Sequence, residues 1–388
     1  MKMLFERLNQ KSLFLRVLQF LRLLGVLPYE KVNGKHRKSQ VYLGYSVAVQ
    51  ILKFIFHIRK LSKLPDLRVI NFFEAIYACW IIAVFILDMI ISWHFLASST
   101  VLLRMIRTLN RSRIPTIPLD KFTLSMIAAT TIAPFYFFFE ELLLNETNND
   151  TGFESAFGAD IFFTYMNCSL LLMTIMKIFS SNIMHTLDAL SSTSIPMLEF
   201  TPSDLRKSYS TIRKQIIGFQ RLAKDIHECF SVMVFGILAF EQLEMGLLVL
   251  QCIYVTLTPI KNSFIFYVPV ALQVWAILDS QTQYINACEE GVHRVKKLIA
   301  DVGHMGPEQV QEVWQLRGIH AELKRMPRFT IFGFFELGRH CLLSMGSVML
   351  TYVIIAVQFA MGSSSATCTS CICNNCDAKY NMNNISLT

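Results

Sequence analysis

An all-α membrane protein of seven transmembrane helices, with its N-terminus in the cytoplasm, is the fold this sequence predicts. Three observations lead there. Of 388 residues, 53% are hydrophobic and 16% charged, fewer charges than a soluble chain of this size usually carries. Seven apolar runs approach bilayer length: Val41–Ile58, Phe72–Leu96, Phe122–Leu144, Phe157–Asn182, Met233–Leu257, Phe264–Ser280 and Leu337–Met361. The basic residues are partitioned by these runs. Segments 1–40, 97–121, 183–232 and 281–336 hold 9, 5, 6 and 7 Lys and Arg, 27 in all, against 6 in the alternate segments. Basic loops stay inside, so the N-terminus is cytoplasmic. The net charge of +8 is on this reading a topology signal, not a nucleic-acid patch.

Residues 1–40 come first. Leu13–Leu27 carries Arg16, Gln19 and Arg22 among Leu, Phe and Val. That mixture predicts an amphipathic helix at the inner membrane face or against the bundle. Gly25 and Pro28 end it. The interrupting charges, with no small-residue cleavage site nearby, argue against a cleavable signal peptide.

Residues 41–336 hold the first six spans and their loops. The first span is the weakest, because it contains Gln50 and Lys53 and is followed by a basic outer loop, Arg59 to Arg68. The outer loop after the third span fits better. Glu140 to Asp160 has six acidic residues and no Lys or Arg. It carries two glycosylation sequons, at Asn145 and Asn149. Asn167-Cys168-Ser169 is also a sequon, but lies inside a span and is expected to be unused. Asp88, Glu241 and Glu244 fall within spans, where acids need protein or water partners. Arg339 is expected to pair with one of them or with Glu336 at i−3.

The inner segments repeat a helical pattern. Leu205, Tyr209, Ile212, Ile216, Phe219, Leu222, Ile226 and Phe230 recur at spacings of three and four, one apolar face over about seven turns. Ile285, Cys288, Val292, Val295, Leu298, Ile299 and Val302 form a second stripe, and Val310, Val313, Trp314 and Leu323 a third. These faces must bury against one another below the bilayer, within one subunit or between subunits. No internal repeat is visible, which disfavours an inverted-repeat transporter.

The seventh span, 337–361, holds the most informative residues. Thr351-Tyr352 is followed by five apolar residues and then by Gln358-Phe359. An amide in a lipid-length helix must face protein or a water-filled path. Beyond it, residues 362–388 form an outer tail with Cys368, Cys371, Cys373 and Cys376. Outside the cell, disulfides or a disordered tail are expected rather than a metal site. Elsewhere the nine His show no ligand spacing, and there is no Gly-rich phosphate loop or nucleophile constellation. Neither an enzyme nor a bound cofactor is expected.

With these motifs the chain resembles the insect gustatory receptors over most of its length. The TY…QF pattern carries the resemblance. It is supported by Gly333-Phe334-Phe335-Glu336-Leu337 ahead of the seventh span and by Leu24-Gly25-Val26-Leu27-Pro28-Tyr29 near the start. The resemblance implies a ligand-gated cation channel of four subunits, homo- or heteromeric. The last helix lines the pore, and the cytoplasmic ends of helices four to seven form an anchor. Gln358 and Phe359 would make the constriction, four amides and four rings around one axis, with Thr351 and Tyr352 bracing the helix. The resemblance also implies an outward-facing pocket among helices two to six for a small tastant, a sugar or a bitter compound. Polar and aromatic candidates there are Trp80, Tyr136, Glu140, Asp160, Tyr165, Asn167, Tyr267, Gln273 and Trp275. The implied location is the plasma membrane, in dendrites of gustatory neurons. Insect odorant receptors share the architecture and are the nearest alternative. A G-protein-coupled receptor would need an outside N-terminus, and the seventh span lacks NPxxY.

Overall fold

Among the described residues the first element is α1 (Gln10–Leu23), which buries Leu13, Phe14, Val17, Leu18 and Leu21 and leaves Arg16 exposed. The computed structural model describes residues 10–32, 35–62, 72–111, 123–128, 151–194, 202–254, 260–304, 310–331, 333 and 335–369. The helix ends at Gly25, whose φ of 70° suits a residue without a Cβ. A side chain there would also strike Val49, so the same glycine lets the next helix pass close by. A hairpin follows, β1 (Tyr29–Val32) and β2 (Lys35–Lys38), antiparallel with Tyr29 opposite Lys38. The expected amphipathic helix therefore lies against the bundle, packed on α5.

Six further helices carry the expected spans and their extensions: α2 (Gln40–Ser62), α3 (Phe72–Ala97), α4 (Ser99–Arg111), α5 (Thr151–Ser194), α6 (Pro202–Tyr254) and α7 (Ile260–Gly303). Then come α8 (Val310–Lys324), the hairpin β3 (Thr330–Ile331) and β4 (Phe335–Glu336), and α9 (His340–Thr369). The third expected span, Phe122–Leu144, is helical over 123–128 and otherwise lies outside the described residues. Among the described residues, two helices are long and apolar enough to cross a membrane, Gln40–Arg59 and Met166–Ser192. A third qualifies if Ile82–Ala97 and Ser99–Leu109, bent by 62°, count as one span.

Two departures from the expected division are instructive. Spans four to six do not stop at the membrane face. α5, α6 and α7 run for 44, 53 and 44 residues, which at 1.5 Å per residue is about 65–80 Å, more than twice a hydrocarbon core of about 30 Å. Span and stripe are thus one continuous helix each. The stripes are also buried inside this one chain. Tyr209, Ile212, Ile216, Leu222, Ile226 and Phe230 of α6 join a core with α5, α7 and α8. There Phe179 stacks on Tyr284 at 5.3 Å and meets Phe219 edge-on at 5.6 Å. The stripe on α8 is corrected as well. Its buried face is Leu316, Ile319 and Leu323, while Trp314 is 67% exposed.

The weakest expected span is explained by its orientation. Gln50 and Lys53, the residues that spoke against α2, lie on a buried face with Ser46 and His57, and Lys53 is only 1% exposed. Val41, Ile51, Leu52, Phe54, Ile55 and Ile58 face outward instead. α3 repeats this, with Ile82, Ile86, Ile90 and Trp93 exposed and Asp88 and Ser92 buried. A helix with its polar face inside and its apolar face outside fits hydrocarbon surroundings and not water.

Candidate functional site

Asp88 finds its partner in α2: His57 Nε2 lies 3.4 Å from Asp88 Oδ2, with the His57 ring against Phe85 at 4.6 Å. Lys53 of α2, Asp88 of α3 and Cys168 of α5 are all buried, and α2 packs on both α3 and α5. Arg339 pairs with neither Asp88 nor Glu336. Its Nε donates to Asp279 Oδ1 of α7 at 2.9 Å, its Nη2 donates to the same oxygen, and its backbone N–H donates to Thr282 Oγ1 at 3.0 Å. Glu336 is taken instead by Arg328, at 2.8 and 3.0 Å. Neither of these expected partners is used; the fold supplies an acid sixty residues away.

The pocket candidates divide three ways. Tyr136 and Glu140, like the sequons at Asn145 and Asn149, lie outside the described residues. Trp80 lies on α3, Asp160 and Tyr165 on α5 and Tyr267 on α7, with side chains outside the described set. Three remain. Asn167 and Gln273 are buried, and the Gln273 amide donates to Ser169 Oγ, joining α7 to α5. Trp275 is 42% exposed and carries the Arg339 guanidinium 5.8 Å from its ring centre. Its position therefore belongs to the base of α9 rather than to the Gln273 contact.

On α9 the geometry follows from the helical period. A spacing of seven puts Thr351 and Gln358 on one face, and both are exposed on the isolated chain. Thr351 Oγ1 donates to the Ser347 carbonyl at 3.0 Å, which satisfies the hydroxyl within the helix. Tyr352 is exposed too; the Phe359 side chain lies outside the described set. Cys341, Leu342 and Met345 pack the start of α9 onto the core. Beyond them Leu343, Val348, Leu350, Ile354 and Ile355 face outward, Leu343 at 81%. An apolar helix with a polar line along it, packed on α6 but leaving these residues exposed, presents surface for neighbours and for a path between them.

A half-open cavity of about 220 Å³ lies between α7 and the segment after α8, where Tyr284, Cys288, Leu323, Met326 and Arg328 line it. Tyr284 donates to the Pro327 carbonyl at 2.8 Å. Burial pushes the Cys288 thiol up to about 12, so it stays protonated at neutral pH.

No family model and no curated protein matches the sequence. Among solved structures, the chain is similar to the insect olfactory receptor OR5 from Machilis hrabei. The TM-score is 0.69 at 15% identity, covering 90% of this chain and 98% of that one. The same receptor in complex with eugenol gives 0.65 at 16% identity, with the same coverage. The chain has the fold of that receptor. The mostly helical fold expected from the sequence is therefore observed.

Proposed function

We propose that this chain is a subunit of a ligand-gated cation channel of the insect chemoreceptor type, a gustatory receptor. A small molecule binds among the outer halves of the helices and opens a pore lined by α9 in a tetramer. The reading assigns it no catalysis, cofactor or metal. It places the N-terminus inside, the 145–156 loop outside and the whole in the plasma membrane of gustatory neurons, with glycans at Asn145 and Asn149. The observation that carries it is α9. This helix leaves Leu350, Ile354, Thr351 and Gln358 uncovered by its own chain, as a helix would that meets copies of itself around an axis. The fold likeness supports the same reading, as does the outward apolar face of α2.

A second reading, an odorant receptor of the same superfamily, is favoured by the eugenol complex among the structural neighbours. The TY…QF residues favour the gustatory one. One experiment separates them. Whole-cell current is recorded under bi-ionic conditions while sugars, bitter compounds and eugenol are applied. Responses to sugars or bitter compounds alone support the gustatory reading, and a response to eugenol alone supports the other. In the same cells Phe359→Ala should give ligand-independent current, because a hydrophobic constriction dewets steeply with width. Gln358→Ala should change permeability ratios more than ligand sensitivity. If both variants reach the surface and conduct as wild type does, α9 lines no pore.

A further inference from the structure

α9 packs on α6, and the residue at its base ties it to a second helix. Arg339 directly precedes α9, and among the described residues its side-chain and N–H partners lie on one stripe of α7. Trp275, Asp279 and Thr282 recur at i, i+4 and i+7, and Arg339 engages all three: the ring by a cation–π approach at 5.8 Å, the carboxylate by two guanidinium nitrogens, the hydroxyl by its backbone N–H. Asp279 is buried, and Gln283 Nε2 holds its other oxygen at 2.7 Å. The carboxylate therefore cannot turn away. The hairpin before α9 is fastened to α7 as well, since Arg328 pairs with Glu336 at 2.8 Å and lies 3.7 Å from Glu289.

We propose that Arg339, seated on Asp279 and Trp275, is the positioning residue through which a movement of α7 is passed to α9. The inference rests on the channel reading above and adds the coupling element. Only a planar guanidinium can hold one carboxylate by two nitrogens and lie on an indole face together; an ammonium keeps the charge and loses the geometry. The lever is long. Gln358 lies 18 residues beyond His340, about 27 Å along the helix, so a tilt of about 5° at the base moves it about 2 Å. That is the scale on which a hydrophobic constriction opens.

The test uses the full-length protein in liposomes, with potassium efflux measured with and without eugenol and amide exchange followed in parallel. Arg339→Gln should raise exchange over 339–345 about tenfold and change resting efflux about fivefold or more, the lower end of ordinary coupling. Arg339→Lys, the variant least prone to misfold, should shift efflux in the same direction by less. The swap Asp279→Arg with Arg339→Asp should restore both readouts towards wild type. If exchange rises but efflux in Arg339→Gln and Arg339→Lys stays at the wild-type level, Arg339 only stabilises the fold and the proposal is overturned, with the channel reading intact. If neither wild type nor any variant exceeds empty liposomes, the channel reading fails and the joint with it.

Discussion

Between residues 205 and 230, α6 buries Tyr209, Ile212, Ile216, Leu222 and Ile226 and exposes Arg206, Lys207, Arg213, Lys214, Arg221 and Lys224. α2 does the reverse, burying Ser46, Gln50, Lys53 and His57 and exposing Val41, Ile51, Leu52, Phe54, Ile55 and Ile58. Both stripes recur at three and four residues, so both are ordinary helical faces. What differs is the medium each outer face suits: water around the first half of α6, hydrocarbon around α2. One chain carries the boundary between the two media within its fold, and substitutions of the same type should cost differently on its two sides.

The largest effect is expected for Ile216→Asp. A carboxylate in the α6 core would be buried without a partner, the kind of change that costs more than about 4 kcal/mol. Loss of the folded species in size-exclusion chromatography of the detergent-purified protein is the expected result. A monodisperse variant melting near wild type would mean that this stripe is not core. Next comes Asp88→Ala on the inverted side. It removes the buried carboxylate that faces His57, and breaking a buried pair in this way costs about 3–5 kcal/mol. His57→Leu combined with Asp88→Leu should cost less than Asp88→Ala alone, because neither member of the pair is then left without the other. Melting curves of the three proteins test that ordering.

The comparison also explains what the sequence made legible. Apolar runs located α2, α3, α5, α6, α7 and α9, and periodicity found the buried stripe of α6, because burial at spacings of three and four leaves a mark whatever the medium. Orientation was harder. Gln50 and Lys53 lowered the average apolarity of α2 and counted against it, though they are buried and its outer face is wholly apolar; an average over a window does not see faces. On α8, Val310 and Trp314 drew the stripe to the wrong side, since both are exposed whereas Val313 packs on the core and Leu316 and Ile319 are buried. The continuity of α5 through α7 was hidden for a related reason: the change from lipid to water alters the composition of the exposed face without breaking the helix. At the candidate site, the Thr351–Gln358 line was readable from a spacing of seven. The seat of Arg339 was not, because the nearest acid in sequence, Glu336, is held by Arg328.

A smaller effect sharpens the lipid side. Ile55 is exposed on α2. If water surrounded it, Ile55→Asp would fall within about 0.5 kcal/mol of wild type. In a bilayer the same change costs about 2.5–3.5 kcal/mol near the helix centre. Surface delivery of the variant in cells should therefore drop several-fold, whereas Arg213→Ala on the water side of α6 should be delivered normally. Equal delivery of the two would remove α2 from the membrane.

The smallest effect belongs to the water side and is a matter of pH. His227 of α6 lies edge-on to Phe329 at 4.9 Å, and burial lowers its pKa below the ordinary 6.5. The unfolded chain therefore takes up this proton more readily than the folded one. Stability tied to His227 is present above pH 6.5 and is lost as pH falls through the lowered folded value. Two residues away, Asp225 moves the other way. Burial raises its pKa above 3.8, against the pull of Arg104 at 3.3 Å. The folded state thus binds that proton more readily, and its contribution improves as pH falls through the raised value towards 3.8. His227 acts downward from pH 6.5, and Asp225 downward from its raised value to 3.8. Melting temperatures taken from pH 7.5 to 4.5 for wild type and His227→Gln should therefore run parallel above pH 6.5. Below it they should converge or cross, because glutamine has no proton to gain. Curves that stay parallel throughout would mean that the imidazole is as well solvated in the folded protein as in the unfolded chain, and that the water-side core stops short of residue 227.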